Sequence, residues 1–351
     1  MPAQIIDGEA VAGRTREDVK VEVAKLGAGG TRVTLAAVQA NDNAGSRIYV
    51  ASQRKTCEEV GIDYRLVEMD PASGAPAIKA KIDDLNADAS VHGIILQMPV
   101  PEGVDAAALQ QRIAPGKDVE GMVTANQGRV VYGDATLAPC TAKGILLLAK
   151  SLELAPSCDP LPGFAKKMIE AGKTTAALYG KNVCVVGHSE IVGKPAALLF
   201  LDHFCTVTVC HVGTPPETLK RHTLEADILV VATGVPQARW NGYRRALAAH
   251  EKDPSKPRPE VPQFPLITAD MIRPGAAVLD AGINRIGAFD ADGNRKLNKK
   301  GKGRTRTVGD VDFKAAQEVA GFITPVPGGV GPMTVAMLLA NTVEAARAAA
   351  T

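Results

Sequence analysis

Short apolar runs alternate with amphipathic helical stretches along the first third of the chain, and this alternation restricts the fold more than anything else. Residues 9–26 carry a helical pattern, and 31–39 (TRVTLAAVQ) read as a strand. Residues 46–60 form a helix closed by Gly61, 63–69 a short strand, and 75–86 a helix. Residues 92–98 (HGIILQM) form a buried strand, and 106–113 the next helix. Strands that are apolar on both faces belong in a parallel sheet, and the intervening helices supply the cover. The fold class is therefore α/β. A long helix over 141–154 leaves this region, and the stretch 156–163 is rich in proline and glycine. A second strand series follows at 182–186, 207–211, 228–232, 277–281 and 322–324. At 351 residues the chain exceeds one ordinary core. The expected division is 1–150 plus 332–351 for the first domain and 151–331 for a second, Rossmann-type domain with a parallel sheet. The last helix, 335–349, has no obvious place in the second sheet and is expected to pack on the first domain.

Hydrophobic residues make up 46% and charged residues 22%, the balance of a soluble globular protein. A net charge of +2 draws the chain to neither nucleic acid nor membrane. Aromatic residues are only 4%, which argues against a base-stacking platform. The six cysteines are scattered without a C-x-x-C pair or a zinc-like His/Cys spacing, so no metal is expected. Scattered thiols, no signal-like start and no membrane-length apolar run lead to a cytoplasmic expectation. Two segments look inserted: the proline-rich 251–265, expected as a surface loop, and the basic 295–306, expected as a solvated hairpin tip.

Two loops carry chemistry. The first is Ile323-Thr324-Pro325-Val326-Pro327-Gly328-Gly329-Val330-Gly331-Pro332-Met333-Thr334, too rich in proline and glycine for a helix or central strand. Flanked by apolar segments, it reads as a stiff loop that lets backbone approach a flat ligand. The second is Gly187-His188-Ser189-Glu190-Ile191-Val192-Gly193, between a buried strand and a helical stretch. Strand, glycine turn and helix place a pyrophosphate on helix N-terminal amides. The fingerprint G-x-S-x-x-V-G departs from G-x-G-x-x-G, and alone it is weak. Turns at Thr233-Gly234 and Gly282-Ile283 end later strands and add to it. The second strand ends at His211, where NAD-preferring sites carry an acid. With no acid there, and with His188 and His211 able to donate to a phosphate, the balance leans to NADP over NAD.

Several segments match one family together and in order. They are Ile5-Ile6-Asp7-Gly8, Asp42-Asn43-Ala44-Gly45-Ser46-Arg47-Ile48-Tyr49-Val50, and Gly93-Ile94-Ile95-Leu96-Gln97-Met98-Pro99. Lys117-Asp118-Val119-Glu120-Gly121, Pro139-Cys140-Thr141, the loop opened by Gly187, Ala281-Gly282-Ile283-Asn284-Arg285, Val308-Gly309-Asp310-Val311 and the Pro/Gly loop complete the set. The chain thus resembles the FolD-type methylenetetrahydrofolate dehydrogenase/methenyltetrahydrofolate cyclohydrolases. The resemblance implies two domains with a cleft between them, folate on the first and nicotinamide on the second, and a homodimer. It implies hydride transfer from 5,10-methylenetetrahydrofolate, then addition of water to the methenyl product, with tetrahydrofolate one-carbon derivatives as ligands.

Carried onto this chain, the resemblance makes Tyr49, Gln53 and Gln97 the catalytic positions. Tyr49, Gln97, Glu120, Pro327, Gly328 and Gly329 become substrate-binding. Gly187, His188, Ser189, Ile191, Val192, Gly193, His211, Thr233, Gly234, Gly282 and Ile283 become cofactor-binding. Two positions depart from the family pattern. Tyr-x-x-x-Lys becomes Tyr49-x-x-x-Gln53, and Glu120 stands where an aspartate is usual. Position i+4 lies about 40° from Tyr49 on a helix, whereas Lys55, six residues on, lies about 240° around. Glutamine cannot exchange a proton near neutral pH, and general acid–base groups contribute about 10²–10⁴-fold. Cys140 has no neighbouring histidine and is expected to pack or wall the substrate, and Asp118 to hold its loop or touch ligand. The leading expectation is a dehydrogenase with doubtful cyclohydrolase activity. A fully bifunctional enzyme and a non-catalytic folate- or nucleotide-binding regulator stand as alternatives.

Overall fold

The computed structural model describes residues 2–158, 160–253, 255–257, 259–290, 295–298, 301 and 303–351. In chain order its first elements are β1 (Gln4–Ile5), α1 (Gly8–Ala28), β2 (Thr34–Gln39), α2 (Ala44–Val60), β3 (Asp63–Glu68) and α3 (Ala75–Ala87). Next come β4 (Gly93–Leu96), α4 (Ala106–Gln110), α5 (Thr124–Val131), α6 (Cys140–Lys150) and α7 (Gly163–Glu170). The middle holds β5 (Asn182–Val186), α8 (Gly193–Asp202), β6 (Thr206–Cys210), α9 (Pro216–Glu225), β7 (Ile228–Val231) and α10 (Val235–Lys252). The chain closes with β8 (Ala277–Asp280), β9 (Asn284–Gly287), β10 (Thr305–Val308), α11 (Phe313–Ala316), β11 (Phe322–Ile323) and α12 (Val330–Ala350).

These elements form two compact units, one of Glu9–Leu146 with Pro332–Thr351 and one of Met1–Gly8 with Leu147–Gly331. The first contains a parallel sheet in the order β3-β2-β4. Strand β2 is buried at every position, the result expected for a central strand covered on both faces. On α3, Ile78, Ile82 and Leu85 recur at helical spacing and are buried against Ala36, Val38 and Leu96. Each such side chain contributes about 1.5–3 kcal/mol by leaving water. The C-terminal helix α12 is tied into this unit: Lys143 donates to Asn341 (2.7 Å), and Arg347 pairs with Glu22 (2.7 Å).

The second unit is built on a parallel sheet in the order β1-β11-β8-β7-β5-β6. After β6 the chain crosses to the other side of β5 to form β7. The crevice beyond the strand ends at such a reversal is where open α/β sheets take ligands. The core of this unit joins Cys184, Val186, Leu229, Val231, Val278 and Ile323.

Several expectations shift. Residues 1–8 were assigned with the first domain, but Gln4 pairs with Phe322 and Ile5 with Ile323, so this segment extends the second unit's sheet. Helix α12 starts at Val330, inside the run expected to be non-helical. Its first turn accepts Pro332, where a missing N–H is no loss. The segment 251–265 does not stay at the surface throughout: Phe264 is buried and packs edge-on against Trp240. The segment 295–306, by contrast, matches its expectation: it lies in the hairpin between β9 and the antiparallel β10, its described residues are mostly exposed, and Arg295 lies 5.2 Å above the Trp240 ring. Residues 159, 254, 258, 299, 300 and 302 of the three Pro/Gly-bearing or inserted segments lie outside the described residues.

Candidate active site

Helix α2 presents Tyr49, Gln53 and Cys57 on one face at four-residue spacing, and Gln53 and Cys57 are buried. Tyr49, one turn nearer the helix start, keeps 46% of its surface exposed. The Gln53 carbonyl oxygen accepts from Gln97 Nε2 (2.6 Å) and from the Tyr64 hydroxyl (3.1 Å). Gln97 follows β4 directly, and its backbone N–H bonds Val38 O (2.9 Å), which fixes it at the sheet's end. Tyr64 sits on β3. The Tyr49 hydroxyl lies near the same amide, so Gln53 sits among two tyrosines and a second amide. Burial raises the Tyr49 phenol above its ordinary value, the nearby Glu120 charge adds to this, and the Gln53 bond opposes it. Tyr64 was read only as part of a strand. Period-two alternation puts its side chain on one face of that strand, but which face it shares with Gln53 is set by sheet order.

Glu120 follows the turn at Pro115–Lys117 and is partly buried. Among the described residues its carboxylate has no hydrogen-bond partner. Burial, and then the neighbouring Asp118 charge, push it up to about 7. Asp118 is fully buried, and its Oδ2 accepts from Val123 N (2.8 Å) and Asn126 Nδ2 (2.9 Å), so it holds the loop. The Cys140 thiol donates to Val119 O (3.2 Å), and burial, with the Glu120 charge, raises it far above its ordinary value. A thiol in that state packs rather than attacks. Lys55 is 79% exposed and pairs with Glu59 (3.8 Å). Lys143, one turn after Cys140, is held by Asn341 Oδ1 (2.7 Å) and Thr136 O (2.9 Å).

In the second unit, Gly187 follows β5 with φ +126°, and a Cβ there would collide with Ala232 O. A Cβ on Gly193 would meet Gly187 O, so the two ends of the loop touch backbone to backbone. Between them Ser189 Oγ accepts from Val192 N (3.2 Å), a side-chain turn where the usual fingerprint has its middle glycine. The loop borders a cavity of about 910 Å³ that is also lined by His188, His211, Thr233, Lys220 and Arg239. The His188 and His211 rings stack at 5.0 Å. Lys220 and Arg239 come from α9 and α10, helices that the residue pattern did not single out. Ile191, Val192, Gly193, Gly234, Gly282 and Ile283 are not among the lining residues, and Ile283 is 70% exposed.

Thr233 and Gly234 are fixed by Asp310. Its Oδ2 accepts from Thr233 N (2.5 Å), Thr233 Oγ1 (2.9 Å) and Gly234 N (3.1 Å), and its Oδ1 from Asn284 Nδ2 (2.8 Å). Beside it Asp280 accepts from the amides of Gly282 (2.9 Å), Asp310 (3.0 Å) and Val311 (2.9 Å). Burial pushes Asp280 up to about 7. Pro327, Gly328 and Gly329 also belong to this unit. Gly328 takes φ +108°, and Gly329 O packs against the Cα of Gly8. Tyr49, Gln53, Gln97 and Glu120 belong to the other unit. Among the described residues no group of three or more His, Cys, Asp or Glu is placed to hold a metal, and no helix is long and apolar enough to cross a membrane.

A parallel sheet with a glycine turn at its reversal, under a cavity of this size, defines an α/β protein with a Rossmann-type dinucleotide-binding unit. Residues 6–120 match the catalytic domain of the tetrahydrofolate dehydrogenase/cyclohydrolases, and residues 162–239 and 261–350 match the NAD(P)-binding domain of the same family. The chain is 39% identical over 347 residues to the bifunctional protein FolD of Moorella thermoacetica, covering 99% of this chain and 100% of the relative. The same comparison with that of Paracidovorax citrulli gives 39% over 350 residues, covering 100% of each chain. Among solved structures, the bifunctional FolD dehydrogenase/cyclohydrolase of Campylobacter jejuni superposes with a TM-score of 0.74 at 31% identity, covering 99% of each chain. The Trypanosoma brucei dehydrogenase-cyclohydrolase, solved with NADP cofactor and inhibitor, gives 0.73 at 29%, covering 99% of this chain and 98% of that one. The chain belongs to the tetrahydrofolate dehydrogenase/cyclohydrolase family. It is an enzyme, an NAD(P)-dependent methylenetetrahydrofolate dehydrogenase.

Proposed function

We propose that this enzyme oxidises 5,10-methylenetetrahydrofolate with NADP as hydride acceptor and hydrolyses the methenyl product slowly. The observation that carries this is the buried Gln53 amide at the hub of Tyr49, Tyr64 and Gln97. Hydride transfer needs positioning more than proton transfer. Tyr49, Gln97 and the unpaired Glu120 carboxylate provide it, with Glu120 accepting from the amide and amino edge of the pterin. The touching backbones of Gly187 and Gly193 leave a cradle that a Cβ would fill, which fits a pyrophosphate there. When bound, the nicotinamide supplies the hydride acceptor. Gly187, His188, Ser189, His211 and Thr233 border its site, and Asp310 holds the Thr233 turn rigid.

Hydrolysis of the methenyl cation is a different demand. Water adds to the one-carbon unit and gives up both its protons as the formyl C=O forms, one released to solvent and one ending on the ring nitrogen whose bond to that carbon breaks. Gln53 moves neither proton. Lys55 is turned outward to Glu59, and Lys143 is held by Asn341 and Thr136. The relatives named above are called bifunctional, and the reading departs from them at this step.

A second reading keeps both activities. It is favoured by those names and by Glu120, whose carboxyl titrates near neutrality. Two assays on the purified enzyme decide: reduced cofactor formed from methylenetetrahydrofolate, and loss of methenyltetrahydrofolate absorbance above the buffer rate. Fast enzymatic hydrolysis abolished by Glu120→Gln establishes the second reading. A homodimer follows from the family resemblance, and light scattering tests it. A reducing, cytoplasmic setting is inferred from six free thiols.

A further inference from the structure

We propose that Tyr64 is a specificity-determining residue of the folate site: its hydroxyl fixes the Gln53 amide as a hydrogen-bond donor, which favours a one-carbon-bridged tetrahydrofolate over tetrahydrofolate itself. This rests on reading Gln53 as a group that faces the one-carbon unit. Tyr64 lies on β3, paired with Leu35 of the central strand β2, and Gln97 follows β4 on the other side of β2. Both reach Gln53 of helix α2 within one compact unit. The Tyr64 hydroxyl donates to Gln53 Oε1 (3.1 Å), and Gln97 Nε2 donates to the same oxygen (2.6 Å). The phenol ring is itself held, with the Arg54 guanidinium 5.9 Å from its centre.

Two amides alone bond one another equally well in either of two senses. Turning both about their last torsion exchanges donor and acceptor and keeps the bond. Gln53 and Gln97 are 4% and 5% exposed, so bulk water does not choose between the senses. The phenol does. Its hydroxyl has a single proton to give, and its hydrogen bond is to Gln53. With the amides reversed, that proton would meet the N–H groups of Gln53. Losing its acceptor costs roughly tenfold in the balance between the two senses. In the sense the structure shows, both lone pairs of Gln53 Oε1 are taken, and Gln53 offers only N–H groups beyond the cluster. The one-carbon bridge of 5,10-methylenetetrahydrofolate occupies both nitrogens it joins, so at that place the ligand carries lone pairs and no N–H. Tetrahydrofolate carries an N–H on each nitrogen. Against a fixed donor the first ligand accepts, while the second sets N–H against N–H or turns it aside.

The test is calorimetric binding of both folates to the whole enzyme without nicotinamide cofactor, so that no turnover occurs. The unaltered enzyme is expected to bind the bridged folate about tenfold more tightly. Tyr64→Phe keeps the ring and removes the proton that decides the sense. Tetrahydrofolate should then gain about fivefold in affinity, and the bridged folate should change by less than about twofold. Gln53→Met leaves no amide to turn. It should lower the ratio likewise, and adding Tyr64→Phe to it should change nothing further. Urea unfolding confirms that each variant is folded. An unchanged ratio in folded Tyr64→Phe overturns the inference. So does equal weakening of both folates, the mark of a merely structural role, or the same Tyr64→Phe effect with and without Gln53. A folded Gln53→Met enzyme with both affinities untouched overturns the underlying reading of Gln53 instead.

Discussion

Replacing Gln53 by lysine is the most direct perturbation of the proposed chemistry. The substitution removes the carbonyl that receives Gln97 at 2.6 Å and Tyr64 at 3.1 Å. A buried donor left without an acceptor costs about 1–3 kcal/mol. Gln97 can turn its amide to offer oxygen to the new ammonium, which leaves the Tyr64 hydroxyl as the main loss. The variant is therefore expected to be destabilised by about 1–3 kcal/mol and to unfold at lower temperature. Gln53 is only 4% exposed, and burial disfavours a charged amine, drawing its pKa from the ordinary value toward neutrality. That is the range in which a group both gives and takes a proton, and the expected gain in methenyltetrahydrofolate hydrolysis is about 10²–10⁴-fold. Hydride transfer, measured as reduced cofactor, should change by less than about tenfold. Hydrolysis by the unaltered enzyme already as fast as in the variant refutes the reasoning. So does a folded Gln53→Lys protein with no gain at all.

Lys55→Ala should leave both rates unchanged, because that side chain is exposed and paired with Glu59. A loss of hydrolysis would mean a different helix register in solution. Glu120 should make stability depend on pH. Its folded value of about 7 lies above the ordinary 4.5, so the folded state holds the proton more tightly and stability falls as pH rises from about 4.5 through 7. Glu120→Gln is then expected to be about 1–2 kcal/mol more stable than the unaltered enzyme at pH 8.5 and equal to it at pH 4, by urea unfolding. Asp310→Ala strips the acceptor from Thr233, Gly234 and Asn284, and should lower stability by about 3 kcal/mol or more in the same measurement. Gly193→Ala drives a methyl into Gly187 O and should weaken NADP+ binding at least about tenfold by calorimetry, with smaller effects on folate binding.

The strands and helices were legible because their apolar spacing is local. Residues 75–86 mark α3, and 182–186 are β5 to the residue. The four-residue step from Tyr49 to Gln53 likewise fixed both on one helical face before any packing was known. What escaped was long-range. The two-residue strand Gln4–Ile5 is too short to carry a period, and it exists as a strand only because β11 offers it an edge. The basic run before Arg306 is exposed as its composition predicts, but the contact of Arg295 with Trp240 was not legible, because α10 brings that ring beneath it from another part of the chain.

By itself the order of residues determined the alternating α/β architecture and the glycine turn, which follow from backbone periodicity and from conformations that only glycine and proline permit. The side chains expected at the chemical positions came from the family resemblance. Sheet order decided the rest. It set Tyr64 and Gln97 against Gln53, wrapped Asp310 in amides from strand ends far apart in the chain, and stacked His188 on His211. The physical reason is range: a hydrogen bond or a ring stack depends on ångström separations between residues that no local pattern connects, and only the packed sheet fixes those separations.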